Sequence, residues 1–216
     1  MKKAVIILSG GMDSAVLLAD VLKQGYEVET LSFNYGSKHN DEEYKHAVLL
    51  CEHYKVKNQR IALPFVNELF KSDLLKSGGE IPEGHYEAPS MKSTVVPNRN
   101  AIMLSIAVGY AESIGAEIVF YGPHAGDHAI YPDCTDEFIF PFNQAMKMGT
   151  YAHVSVSAPF IYKTKRDIGL LGKELGVPFE KTYSCYKGGE VHCSVCGTCV
   201  ERKEALSGFD PTQYLE

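Results

Sequence analysis

The chain opens on an unbroken aliphatic and β-branched run at 4–8 and turns at Ser9-Gly10-Gly11. From 12 to 23 it repeats apolar residues at helical spacing, Val16, Leu17, Ala19 and Val21, and stops before Gly25. Strand, tight turn and helix are predicted as the opening unit. A second strand is expected at 29–33, a long helix at 41–54 with Tyr44, Ala47, Val48 and Cys51 on one face, and a short third strand at 60–63. Residues 76–97 hold Ser77-Gly78-Gly79, Pro82, Gly84, Pro89 and Pro97 and show no period. They are too long for a passive connection, so a substrate lid or a mobile segment is expected there. An apolar helix resumes at 98–113, then a strand at 117–121, a polar loop at 122–134, a helix at 135–148 interrupted near Pro141, a strand at 153–157 and a helix at 164–175.

Strands alternating with helices of this length imply parallel pairing through right-handed crossovers. The expected fold class is α/β, an open parallel sheet with helices on both faces. The loop at 122–134 then falls at the carboxyl edge of the sheet, where ligands of such folds sit. One α/β body, 1–184, and a small cysteine-rich C-terminal appendage, 185–216, are the expected organisation.

Composition adds exclusions. With 27 acidic against 21 basic residues, a net charge of −6 argues against gripping a long polyanion, so a small-molecule substrate is expected and no stable nucleic-acid partner. No apolar run reaches the roughly 18–20 residues that cross a bilayer, and the start reads as a strand, not an export signal. No membrane association and a cytoplasmic address are therefore expected. In that reducing setting clustered thiols bind metal more often than they pair. A chain of 216 residues buries a sufficient core without a metal, so a metal needs its own reason.

Two motifs carry chemistry. Ser9-Gly10-Gly11-Met12-Asp13-Ser14 lies between strand and helix, where unpaired N–H groups and the helix dipole seat an anion. Its glycines let the backbone approach the ligand, and its serines add hydroxyl donors. No lysine follows as in the Walker pattern. The alternative is a glycine turn with Asp13 or Ser14 capping the helix. Cys185, Cys193, Cys196 and Cys199 offer four soft ligands in a short span, which favours tetrahedral zinc in a closed site. An iron–sulfur cluster is the rival, weakened because no Cys-Pro continues the run after Cys199. His192 is expected to face solvent or stand behind the ligands, Cys51 to lie in the core, and Cys134 to line either core or pocket.

Ser-Gly-Gly-x-Asp-Ser in this setting resembles the PP-loop of the ATP pyrophosphatases, which bind ATP and release pyrophosphate while adenylating an acceptor. Phe33-Asn34-Tyr35-Gly36, Val96-Pro97-Asn98-Arg99-Asn100, Tyr131-Pro132-Asp133-Cys134 and the four-cysteine terminus extend the likeness nearly end to end. In these residues the chain resembles the 7-cyano-7-deazaguanine synthases, departing from their usual residues at Asn34, Ala129-Ile130 and Thr135. The resemblance implies an adenine nucleotide alpha hydrolase-like, Rossmann-like body and a homodimer. It also implies ATP-driven conversion of 7-carboxy-7-deazaguanine and ammonia, through the amide, to the nitrile used for queuosine or archaeosine.

ATP would then be held by Leu8, Ser9, Gly10, Gly11, Met12, Asp13 and Ser14 with Phe33 and Tyr35. Asp13 would hold Mg²⁺ or orient pyrophosphate. A carboxylate attacking a phosphate needs cations to offset repulsion. Arg99, Lys163 and Lys165, with Arg166 beside them, are the expected sources. Tyr131, or Phe33 and Tyr35, is expected to stack on the substrate ring or the adenine, Asp133 to accept from the donor edge of the substrate, and His124 or His128 to relay protons. A tRNA-thiolating PP-loop enzyme with an iron–sulfur cluster is the alternative enzyme, and a zinc-ribbon binding module the alternative of another class.

Overall fold

A computed structural model describes residues 2–216. Five strands, β1 (Lys3–Ile7), β2 (Glu27–Asn34), β3 (Lys57–Ala62), β4 (Ile118–Phe120) and β5 (Ser155–Ser157), form one parallel sheet in the order β3-β2-β1-β4-β5. Register places Val5 of the central strand opposite Glu29 and Val119. Because successive side chains of a strand point to opposite faces, β1 feeds two cores. Ala4 and Ile6 pack with α1 (Met12–Lys23), α2 (Asn40–Tyr54) and α6 (Lys165–Leu175). Val5 and Ile7 pack with α4 (Arg99–Ser113) and α5 (Asp136–Gly149) on the other side. A helix α3 (Pro64–Leu69) follows β3. Strand order runs outward from β1 in both directions, so a crevice opens beyond the carboxyl ends of β1 and β4.

Several elements differ from the sequence expectation for local reasons. Helix α5 continues through Pro141 instead of breaking. Thr135 accepts from Phe138 N–H at 3.2 Å, and the rings of Phe138 and Phe142 stack across the proline at 5.2 Å, so the helix survives losing one backbone bond. On α2 the buried apolar residues are Ala47, Leu50 and Cys51, with Val48 only half-buried. Helix α3 and a C-terminal helix α7 (Gly197–Ala205) were not expected. The inward face of α7 is Gly197, Thr198, Cys199, Arg202 and Ala205, which shows no aliphatic stripe.

The segment from Cys185 onward docks along the body. Cys196 and Cys199 join the α4-side core, and Ala205 and Leu206 join the α1-side core. Arg202, wholly buried, donates to Phe179 O (2.9 Å), Ser184 Oγ (3.0 Å) and Thr212 Oγ1 (2.8 Å). The stretch 76–97 is tied down as well. Gly84 N–H donates to Val195 O at 3.0 Å, Glu83 forms a bridge with Cys196, and Tyr86 and Met91 are buried. Its Tyr86 lines the crevice. Among the described residues no helix is long and apolar enough to cross a membrane.

Candidate active site and cysteine centre

The turn from β1 into α1 is shaped from behind. Gly10 adopts φ +92, and a Cβ there would stand 2.2 Å from Glu43 O on α2, so only glycine lets the turn settle on that helix. Tyr183 N–H donates to Gly10 O at 2.9 Å. Gly10 therefore shapes the loop, whereas Leu8, Ser9, Gly11, Met12, Asp13 and Ser14 line a cavity of about 220 Å³. Ser14 Oγ donates to Gly11 O at 3.1 Å, and no side chain caps α1. The capping alternative is thus not what the loop does: the first-turn N–H groups of α1 stay open to a ligand.

Phe33, Tyr35, Arg99, Tyr131, Cys134 and Lys165 line the same cavity, together with Tyr86 and Glu43, which sequence reasoning missed. Lys165 Nζ donates to Asp13 Oδ2 at 2.6 Å and lies 3.3 Å from Glu201 Oε2 and 3.2 Å from His124 Nε2. Burial opposes its charge, but Asp13 and Glu201 outweigh that and push its pKa up. Asp13 Oδ1 is buried without a hydrogen-bond partner. Asp127 fixes the turn that carries His124, accepting from His124 N–H (2.9 Å) and Tyr86 O–H (2.7 Å).

Arg99 opens α4, donates to Tyr35 Oη at 3.1 Å, and has no carboxylate within 4.0 Å among the described residues. Glu43 shares this wall; burial pushes its pKa up to about 8, with Arg99 pulling the other way. Burial lowers the neighbouring His39 to about 3, with Arg99 acting in the same direction.

Other expected residues take different places. Asp133 does not line the cavity; its Oδ2 accepts from Asn100 N–H at 2.8 Å and so serves the start of α4. Lys163 lies outside the cavity lining, its carbonyl accepting from Ala125 N–H at 2.9 Å. Thr164 caps α6 between the two lysines, which turns Lys165 inward and leaves Lys163 before the helix. Arg166 holds Ala205 O (2.7 Å) and Ser207 O (2.9 Å). His128 is not in the cavity wall.

The four cysteines come together. Their sulfurs all lie within 4.8 Å of one another, with Cys193–Cys199 at 3.9 Å and Cys185–Cys196 at 4.0 Å. Thiolates about 2.3 Å from one tetrahedral ion stand about 3.8 Å apart, so the set fits a single metal ion. Ligands of a cluster, each on its own iron, would be spread wider. Backbone N–H groups of Cys193 and Cys196 point at Cys185 Sγ (3.4 Å) and Cys193 Sγ (3.3 Å). His192 is neither solvent-facing nor in this group: it is buried against Tyr183, and its Nε2 accepts from Ser184 N–H at 3.0 Å.

Comparisons with known proteins show the family. The model of the family described as queuosine biosynthesis protein QueC matches residues 3–210. A 7-cyano-7-deazaguanine synthase of Desulfotalea psychrophila is 57% identical over 218 residues, covering 100% of both chains. One from Porphyromonas gingivalis is 51% identical over 216 residues, covering 99% of this chain and 97% of the relative. An NMN synthetase structure from Francisella tularensis shares the fold, with a TM-score of 0.51 and 17% identity over 88% of this chain and 70% of that one. With a family match across nearly its whole length and relatives above half identity, the chain belongs to the QueC family.

Proposed function

We propose that the chain makes 7-cyano-7-deazaguanine from 7-carboxy-7-deazaguanine, ammonia and ATP through two adenylations. The carboxylate oxygen attacks the α-phosphorus, releasing pyrophosphate and leaving an acyl adenylate. Ammonia attacks the carbonyl carbon, AMP leaves with the oxygen it activated, and the amide results. The amide oxygen attacks a second α-phosphorus, pyrophosphate leaves again, and loss of the nitrogen-bound protons with AMP gives the nitrile. Each adenylation brings an uncharged or anionic oxygen to a polyanion, so fixed positive groups must face the phosphates.

The observation that carries this reading is the uncapped start of α1 opening on a cavity that also presents Arg99 with no carboxylate at hand and Lys165 beside the loop. Arg99 offers a planar fork to a carboxylate or a phosphate. Phe33, Tyr35 and Tyr131 give flat apolar faces for the two ring systems. Of the three acids that line the cavity, Asp13 lies on the phosphate loop and Asp127 is held by Tyr86 and His124, which leaves Glu43 for the donor edge of the deazaguanine, whose hydrogens would offset its burial. Asp13, with its orphaned Oδ1, suits Mg²⁺, which would neutralise phosphate charge when bound. The cysteine set suits Zn²⁺ in a closed site that supports the fold. Free ammonium as nitrogen source, a homodimer and a cytoplasmic address belong to the same reading and rest on the family likeness.

The test is Arg99→Met, which keeps the buried stem and removes the fork. We expect kcat/KM for the 7-carboxy substrate to fall about 10²-fold with melting temperature near that of the parent. An unchanged kcat/KM would remove Arg99 from the site.

A further inference from the structure

Two nitrogen donors meet at the cavity edge among three carboxylates, Asp13, Asp127 and Glu201, of which Glu201 alone lies within 4.0 Å of both donors. Gly126 N–H donates to His124 Nδ1 at 3.1 Å, which leaves the ring proton of neutral His124 on Nε2. That atom lies 3.2 Å from Lys165 Nζ, which carries only donors. Two donors cannot satisfy one another, so each needs an acceptor: Asp13 Oδ2 lies 2.6 Å from Lys165 Nζ, and Asp127 Oδ1 lies 3.6 Å from His124 Nε2. Glu201 spans the two: Oε1 lies 3.7 Å from His124 Nε2, and Oε2 lies 3.3 Å from Lys165 Nζ. Oε2 is buried and makes no aligned hydrogen bond, a contact of the kind that tightens when ligand arrives.

Helix α7 explains how Glu201 is placed there. The helix starts with Cys196 as its N-cap, carries Cys199 in its first turn, and presents Glu201 two positions later. Gly197 leaves it no slack, since a Cβ there would stand 3.1 Å from Tyr86 Cα. Asp13, the other partner of Lys165, belongs to the phosphate loop, and any ligand bound there competes for it. Glu201 and His124 lie behind Lys165 on the protein side.

We propose that Glu201 is the positioning residue for Lys165, bridging it to His124 and so coupling the four-cysteine centre, through α7, to the cation that faces ATP. The inference rests on the reading of Lys165 as that cation. A long side chain with four rotatable bonds needs such a hold, because a misplacement of about 1 Å costs about 10²-fold in rate.

The experiment compares Glu201→Ala, Glu201→Gln, Lys165→Ala and the double alanine variant as metal-loaded full-length protein, reading kcat, KM for ATP and metal per chain. Glu201→Ala is expected to lose about 10²-fold in kcat at unchanged metal content, with KM for ATP moving far less. Glu201→Gln, which keeps one acceptor oxygen, recovers part of the rate. The double variant matches Lys165→Ala alone, because a residue acting through Lys165 has nothing left to place. The proposal is overturned by Glu201→Ala turning over at the parental rate, by loss of metal in that variant, or by a double variant slower than Lys165→Ala by the full single factor. Parental turnover of Lys165→Ala overturns the reading of Lys165 itself, and the inference with it.

Discussion

Asp13→Ala is expected to lower AMP release by at least about 10²–10³-fold while the protein stays folded. Asp13 sits in the first turn of α1, on the phosphate loop, with Oδ2 on Lys165 and Oδ1 free of any donor. Removing it takes away the oxygen suited to a cation and releases Lys165 from its shortest contact. Both losses fall on the charge that builds at phosphorus, so kcat carries the effect. Asp13→Asn separates the two, since the amide oxygen still accepts from Lys165 but is a far poorer partner for Mg²⁺. AMP release by Asp13→Ala within tenfold of the parent would remove Asp13 from the chemistry.

Cys196→Ser is expected to have the second large effect, and to act on the fold before the reaction. Cys196 is fully buried, stands at the N-cap position of α7 and lies in the α4-side core. Losing one of four thiolates opens the metal site to exchange, and metal binding in such sites is folding free energy. We expect metal per chain to fall well below that of the parent and stability to drop by more than about 4 kcal/mol. For a chain of this length that is roughly 8–16 °C in melting temperature. Cys51→Ala, on the opposite face of the sheet and outside the cluster, should leave metal content unchanged. Full metal and a parental melting curve in Cys196→Ser would contradict the role given to the cluster.

What the sequence made legible follows the strength of each local signal. Helices α1 and α4 are dense in apolar residues, α6 has a capping box and a C-terminal glycine, and β1 is an aliphatic run before a glycine turn. These elements lie within a residue or so of expectation. The cysteine spacing and the Ser9–Ser14 loop are contiguous signals, and the structure brings each together as a unit. Helix α7 had no aliphatic period to reveal it, because glycine, threonine, cysteine and a buried arginine form its inner face.

The site's charged network was harder to read because it is tertiary. Lys165 meets Asp13 across 152 positions, and Glu201 joins them from a third element. Nothing in the sequence distinguishes Lys163 from Lys165 until Thr164 is seen to start the helix between them. Asp133 was assigned from a turn motif, and only the structure shows its Oδ2 accepting from Asn100 N–H at the α4 start that carries Arg99. Glu43 escaped notice because it reads as one more acid at the solvated start of α2, whereas the phosphate loop settles against its backbone.

The central claim is that ATP binds at the uncapped start of α1 and is cleaved between its α and β phosphorus atoms. Purified protein incubated with ATP, Mg²⁺, ammonium and 7-carboxy-7-deazaguanine should yield the nitrile by mass spectrometry, with AMP and pyrophosphate as the nucleotide products, two of each per nitrile. ADP and orthophosphate in their place would contradict the account.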